Sequence, residues 1–320
     1  MSMKKEWARK YLEKLRPRIQ GRAEEKIPMK QYTTFRIGGF VDVMVWPRSL
    51  ADLKEAIDAA QRMEIEWGIL GAGSNLLVKD GGLDMVLLNM NEVLKDMDAS
   101  DKNGSFEAGA ETGTVRLGAG LKLPRAAKEC QERGLSGLEF AAGIPGSVGG
   151  GVIMNAGSMG TSMADVLEWV EWYTPERGLE RVSRSELDYG YRRLSCPDRA
   201  VITACGVTLR KDDPRAVRER IVKGLKWRRQ NQPLSYPSAG SVFKNPPGDY
   251  SGRLIEEAGL KGARQGDAQV SELHANFIIN RGRARSRDVT VLIDRVREEV
   301  ERSFKINLEL EIKIMGEEIS

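Results

Sequence analysis

Apolar and polar residues alternate along Val41-Asp-Val-Met-Val-Trp46, the period of a β-strand. Pro47 ends that run. Leu53, Ala56, Ile57 and Ala60 then recur at the spacing of one helix face, with Ser49 and Asp52 set as a capping pair. Ile69-Leu70 and Met85-Val-Leu-Leu88 flank glycine-rich turns and predict short strands joined by tight loops. Val201 to Leu209 predicts a further strand, and a helix start follows at Asp213 and Pro214, where we expect a domain boundary. Downstream, Val289, Leu292, Ile293, Val296 and Val300 predict an amphipathic helix. Leu308-Glu-Leu-Glu-Ile-Lys-Ile314 alternates strictly and predicts a strand with Glu309, Glu311 and Lys313 on its polar face. Near the start, Trp7, Tyr11 and Leu15 predict a short packing helix ended near Pro17. Both kinds of element occur in each half, and no internal repeat is visible.

Composition removes several classes of protein. The 320 residues are 41% hydrophobic and 30% charged, with no apolar run near the ~20 residues of a bilayer span, so neither a membrane protein nor a disordered chain is expected. Fifty Lys and Arg against 46 Asp and Glu leave +4, too balanced to imply polyanion binding by net charge. Cys130, Cys196 and Cys205 are odd in number and form no C-x-x-C pair, which argues against a disulfide framework or a zinc knuckle. Together with the lack of a signal-peptide apolar region, this predicts a cytoplasmic protein. His274 is the sole histidine, which excludes a histidine-based zinc site, a Ser-His-Asp triad, and a histidine-linked flavin other than through His274 itself. No metal is expected.

Half of the 34 glycines fall between Gly71 and Gly157. Gly71-Ala-Gly-Ser-Asn-Leu-Leu77 follows an apolar strand, where glycines let backbone N–H groups approach an anion. Ala142-Gly-Ile-Pro-Gly-Ser-Val-Gly-Gly-Gly151 repeats that chemistry, and Asn155-Ala-Gly157 extends it; two such loops suit a pyrophosphate. No G-x-G-x-x-G stands between a strand and a helix and no G-x-x-x-x-G-K-[ST] occurs, so a Rossmann site and a P-loop are disfavoured.

At these residues a resemblance enters. Tyr32-Thr-Thr-Phe-Arg-Ile-Gly-Gly39, Gly71-Ala-Gly-Ser-Asn75 and Ala142-Gly-Ile-Pro-Gly146 resemble the FAD-binding half of the UDP-N-acetylenolpyruvoylglucosamine reductases. Gly240-Ser-Val-Phe-Lys-Asn-Pro246, Val270-Ser-Glu-Leu-His-Ala-Asn-Phe-Ile-Ile-Asn280 and Leu308-Glu-Leu-Glu-Ile312 resemble the substrate half, and the uninterrupted run Tyr236 to Lys244 resembles the shorter second type. The resemblance implies an α+β fold: a two-subdomain FAD-binding domain of the vanillyl-alcohol-oxidase (PCMH) type, then a C-terminal α+β substrate domain. The expected division is an N-terminal helical segment over 1–27, the FAD domain over 28–212 with its subdomains split near 90–105, and the substrate domain over 213–320. The implied activity is NADPH-dependent reduction of UDP-N-acetylglucosamine enolpyruvate to UDP-N-acetylmuramate, in peptidoglycan precursor synthesis. FAD is expected to be noncovalent, with NADPH as co-substrate. The resemblance carries cofactor binding onto Arg36, Gly71, Ala72, Gly73, Ser74, Asn75, Gly143, Ile144, Pro145, Gly146, Ser147, Gly150, Asn155 and Gly157.

Hydride addition to an enolpyruvyl methylene leaves negative charge on the substrate carboxylate, which needs a cation or hydrogen-bond donors nearby. The resemblance offers Arg192 after Tyr191; because Tyr191-Arg-Arg-Leu-Ser195 holds one extra residue before its serine, Arg193 is the alternative. It offers Ser241 as the proton donor, assisted by Lys244 or backbone donors of its loop, and Glu311 rather than Glu309 as the acid stabilising the intermediate. To donate a hydrogen bond, that acid must stay protonated, which demands burial or a neighbouring negative charge. Tyr191, Lys244, Asn245 and Arg264 are expected on the substrate, and His274 is either a cofactor neighbour or a satisfied half-buried side chain. The expected partner is a small UDP-sugar, with no nucleic acid, membrane or obligatory protein partner. Two other readings compete: a different FAD oxidoreductase of the same fold, and a nucleic-acid binder using Arg281-Gly-Arg-Ala-Arg-Ser-Arg287.

Overall fold

The structure, a computed structural model, describes residues 6–98 and 110–318. The chain forms two compact units, neither continuous in sequence. The first takes in Met1–Glu24, Met44–Ala72 and Val86–Arg228, and the second Glu25–Val43, Gly73–Met85 and Arg229–Ser320. The division differs from the linear one expected. Segments 25–43 and 73–85 group with the C-terminal part, and the helix beginning at Pro214 stays with the first unit through Arg228. The split expected near 90–105 lies partly outside the described residues.

In the first unit the Glu6–Leu15 helix packs on the Leu50–Arg62 helix, and Tyr11, wholly buried, donates its hydroxyl to the Ala56 carbonyl at 2.8 Å. The Ser49 hydroxyl accepts from Asp52 N–H at the start of the second helix, the capping pair read from the sequence. A six-stranded sheet dominates. Gly178–Ser183, Leu167–Thr174, Val201–Lys211, Thr112–Gly118 and Met97–Asp98 lie side by side in that order, all antiparallel, with Leu135–Ser136 also paired to Val201–Lys211. Val201–Lys211 is buried at every position through Val207, as a central strand covered on both faces must be. Leu123, Ala126, Ala127 and Cys130, spaced i, i+3, i+4 and i+7 on the Leu123–Glu132 helix, join Val115, Leu117, Val207 and Leu209 in one core. A smaller sheet orders Arg22–Pro28, Phe40–Trp46, Leu83–Asn89 and Trp67–Leu70; the first three strands run on from one unit's sequence into the other's.

The second unit packs helices Ser251–Glu257 and Ser286–Phe304 around a three-stranded antiparallel sheet, Arg264–Gln265, Ala268–Val270 and Ile278–Asn280. Phe35, Ile37 and Leu77 share its core with Val242, Phe243, Val289, Leu292, Ile293, Val296, Val300, Leu308 and Ile312. The early motif residues thus bury against chain more than 200 positions downstream. The alternating run 308–314 corrects its expectation. It is a regular strand only over Lys313–Met315, parallel to Leu76–Val78. Glu311 N–H and Ile312 N–H both point to the Val242 carbonyl, at 2.8 and 3.4 Å. Two residues opposite one acceptor break the ladder, as in a bulge. Upstream of that point the segment pairs with Phe243 and Lys244; downstream it pairs with the Leu76–Val78 strand.

Candidate active site

In the second unit, the residues expected to do the chemistry are set by backbone pairing. Gly240 takes φ +80°, a conformation that favours glycine, and turns the chain into the short extended segment Ser241 to Lys244. Ser241 bridges Phe277 on one side; on the other, Phe243 bridges Leu310 and Lys244 N–H donates to the Glu309 carbonyl at 2.8 Å. Glu311 N–H reaches the Val242 carbonyl, so Ser241 and Glu311 stand on adjacent paired segments. Glu311 is half-buried, whereas Glu309 is exposed and pairs with the Lys244 ammonium at 3.1 Å. Among the described residues the Ser241 hydroxyl makes no hydrogen bond, while the segment carrying it is clasped by Asn276. The Asn276 side chain accepts from Phe243 N–H at 2.9 Å and donates to the Phe243 carbonyl at 2.8 Å; the Asn276 backbone carbonyl accepts from Val242 N–H at 2.8 Å, and the residue is 3% exposed.

The first glycine loop is tied to the same strands. Asn75 Nδ2 donates to the Glu311 carbonyl at 3.0 Å, and the Asn75 carbonyl accepts from Lys313 N–H at 2.9 Å. Thr34 N–H donates to the Gly73 carbonyl, and the Thr34 hydroxyl to the Ser238 carbonyl at 2.7 Å. Arg36 is exposed, with φ +55°. His274 Nδ1 accepts from Asn276 N–H at 3.3 Å, and burial pushes its pKa down, so the neutral, half-buried reading fits it. Asn245 Oδ1 accepts from Ser251 N–H, and Arg264 is exposed with Nη2 directed at Gln269 Oε1 at 3.4 Å.

In the first unit the second glycine loop closes on Gly71. A Cβ at Gly71 would lie 2.6 Å from Ser147 Oγ. Ser147, 3% exposed, accepts from Gly150 N–H at 3.3 Å, and Gly146 presents its carbonyl to Leu123 N–H. Asn155 fixes the next element: its Nδ2 donates to the Gly190 carbonyl at 3.1 Å and its Oδ1 accepts from Ala164 N–H at 3.0 Å. Gly190 belongs to a tight hairpin, Tyr189–Gly190 with Arg193–Leu194, whose tip is Tyr191 and Arg192. Tyr191 is exposed; Arg192, half-buried, takes φ +57° and lies over the Tyr191 ring at 5.2 Å. Arg193 is exposed and bonded to Asp188 at 3.0 Å. A cavity of about 610 Å³ opens beside Ala142 and Gly143, with Met159, Thr161, Arg220 and Arg228 in its wall.

Residues 41–183 match an FAD binding domain, and residues 232–315 match the C-terminal domain of UDP-N-acetylenolpyruvoylglucosamine reductase. Over 308 residues the chain is 45% identical to UDP-N-acetylenolpyruvoylglucosamine reductase 2 of Symbiobacterium thermophilum, covering 95% of this chain and 96% of that one. The chain belongs to the UDP-N-acetylenolpyruvoylglucosamine reductase family. The Bacillus subtilis reductase is 35% identical over 309 residues, with 96% and 98% covered. A crystal structure of the Thermus caldophilus reductase superposes with a TM-score of 0.75 at 35% identity, over 92% of this chain and all of that one.

As a member of this reductase family the chain is an FAD-containing oxidoreductase, and its glycine loops can be tested against the cofactor. Gly73 is glycine for the chain's own reasons: φ is +64° and a Cβ would lie 2.0 Å from the Tyr32 carbonyl oxygen. Gly150 is different. Its nearest neighbour for a Cβ is Ser147 Oγ at 3.4 Å, an ordinary contact, so the fold does not demand a glycine there, whereas a phosphate approaching the backbone would. Gly150→Val is therefore expected to melt within a few degrees of the native apoprotein yet to bind FAD at least tenfold more weakly, as read by flavin fluorescence titration. Normal FAD affinity would remove this loop from the cofactor site. One residue that holds the Ser241 segment escaped sequence reading: Asn276 lies inside the Leu273-His-Ala-Asn-Phe277 run, where a polar residue between apolar neighbours signals a buried clasp. The Arg281–Arg287 run leads into the Ser286–Phe304 helix, with Arg285 N–H and Arg283 N–H held by Asp288 and Asp267, and nucleic-acid binding is not favoured.

Proposed function

We propose that this chain reduces UDP-N-acetylglucosamine enolpyruvate to UDP-N-acetylmuramate with NADPH, in the cytoplasm, as a step of peptidoglycan precursor synthesis. The observation that carries the reading is the convergence, in one unit, of the Ser241 segment, the Glu311 segment and Asn75 of the first glycine loop. FAD, when bound, relays the hydride from NADPH to the enolpyruvyl methylene carbon.

The chain's own residues have two tasks: to hold the charge that develops on the enolpyruvyl carboxylate, and to protonate the carbon that bears it. Arg192 is the proposed cation, because it keeps its place directly after Tyr191 and is half-buried, whereas Arg193 is exposed. Glu311, half-buried where Glu309 is exposed, is the proposed acid beside it in function. Ser241 is the proposed proton donor: its hydroxyl holds no other described group, and its position depends on backbone pairing. Lys244 and Asn245 are proposed for the substrate diphosphate and sugar, with Arg264 and Tyr191 as further contacts. The Lys244 pair with exposed Glu309 costs little to exchange for a phosphate, since surface ion pairs contribute ~0–1 kcal/mol.

Anaerobic mixing tests the reading directly. NADPH is expected to bleach the bound flavin, and the enolpyruvyl substrate to restore its colour. Recovery with oxygen but not with that substrate would make the protein a different flavin oxidoreductase of this fold. Denaturation is expected to release the flavin into solution, as befits noncovalent binding.

A further inference from the structure

Lys122 sits where, in the first unit, Gly71 meets the second glycine loop. Its backbone bridges Ser147 antiparallel, between Leu123 N–H donating to the Gly146 carbonyl at 2.9 Å and Val148 N–H donating to the Leu121 carbonyl at 2.8 Å. Its ammonium donates to Asn91 Oδ1, and Asn91 Nδ2 in turn donates to the Gly71 carbonyl at 2.8 Å. One residue thus contacts the second loop through its backbone and is linked to Gly71 of the first through Asn91. The charge is badly placed for the chain alone. Among the described residues no carboxylate lies within 4.0 Å of the Lys122 ammonium, whose partner there is a neutral amide. Lys122 also occupies the N-cap of the Leu123–Glu132 helix, the end at which positive charge is disfavoured, and burial pushes its ammonium below the usual lysine range. A half-buried ammonium without a counter-charge is costly, and an anion seated at the loops removes that cost.

We propose that Lys122 is the side-chain counter-charge for the FAD diphosphate, supplying the positive charge that neutral backbone donors of the glycine loops lack. The assignment rests on the diphosphate sitting at these loops. Lys122→Met keeps the length and apolar stem of the side chain and removes its charge. Stripped of flavin, this variant is expected to melt at or above the native apoprotein's temperature, because it loses an unpaired charge. Its FAD dissociation constant is expected to rise about 10- to 100-fold, the range for losing a hydrogen bond to a charged group. Lys122→Arg is expected to recover part of the affinity, and riboflavin, which carries no phosphate, to bind native and variant proteins alike. A fall in apoprotein melting temperature with an equal loss of riboflavin binding would make Lys122 a structural support and overturn the assignment. Gly150→Val separates the loop's part from that of the lysine. If it loses FAD while Lys122→Met binds normally, the loops hold the diphosphate and Lys122 is not its counter-charge. If both bind normally, the seat at the loops is itself wrong.

Discussion

Ser241→Ala is expected to cut turnover by roughly 10²–10⁴-fold, the usual contribution of a positioned general acid, while FAD binding and bleaching by NADPH stay near normal. The two half-reactions divide the demand: only reduction of the enolpyruvyl group creates a carbon that must be protonated. A competing explanation gives the hydroxyl a supporting role in the Ala239 to Asn245 loop. The structure removes most of its basis, because that loop is held by the Ser241–Phe277 bridge, by Val242 N–H on the Asn276 carbonyl and by the Asn276 side chain on Phe243, none of which involves Ser241 Oγ. Deleting the oxygen should leave the loop where it is. Ser241→Cys is expected to retain part of the activity, since a thiol also donates a proton. The deciding measurement is stopped-flow flavin reoxidation at saturating substrate; a near-native rate in Ser241→Ala would strip the serine of its proposed role.

Glu311→Gln and Arg192→Ala are each expected to slow reoxidation by substrate about 10²–10³-fold, with far smaller effects on reduction by NADPH. Both act on the additional negative charge that develops as the enolpyruvyl group is reduced. Arg193→Ala is the internal control. Its guanidinium lies 3.0 Å from Asp188 on an exposed hairpin edge, so its loss should cost well under tenfold. A damaging Arg193→Ala beside a harmless Arg192→Ala would reverse the assignment across the extra residue of the Tyr191 to Ser195 segment.

Much of the local structure was legible because a single face decides it. The Leu50–Arg62 helix with its Ser49 cap and the Ser286–Phe304 helix each bury one periodic set of side chains, and the period shows in the residues; the Phe40–Trp46 strand, buried on both faces from Val43 to Trp46, shows instead as a short apolar run ended by Pro47. The 308–314 run was misleading for the same reason. Its alternation is real, with Leu308 and Ile312 buried and Glu309 and Lys313 exposed, but the segment changes hydrogen-bonding partner at Glu311, which side-chain period does not encode. The site was legible through its motifs in kind but not in grouping. Nothing local in Tyr32 to Gly39 announces that it packs with residues beyond 229, and nothing around Lys122 announces a charge between two loops.

That grouping bears on how the chain is made. Thr34 to Ser238, Asn75 to Glu311 and Asn280 to Phe35 close the second unit across 204, 236 and 245 residues. Pairing over such distances is slow, since loop closure must precede the contacts that reward it. The first unit is complete in sequence by Arg228 and can pack while synthesis continues. Phe35, Ile37 and Leu77, made early, must wait with their apolar surfaces uncovered until Val289 to Ile312 emerge. A message truncated before Val300 would therefore yield a chain with one finished half and a sticky, unfinished other, a natural client for chaperones and proteases.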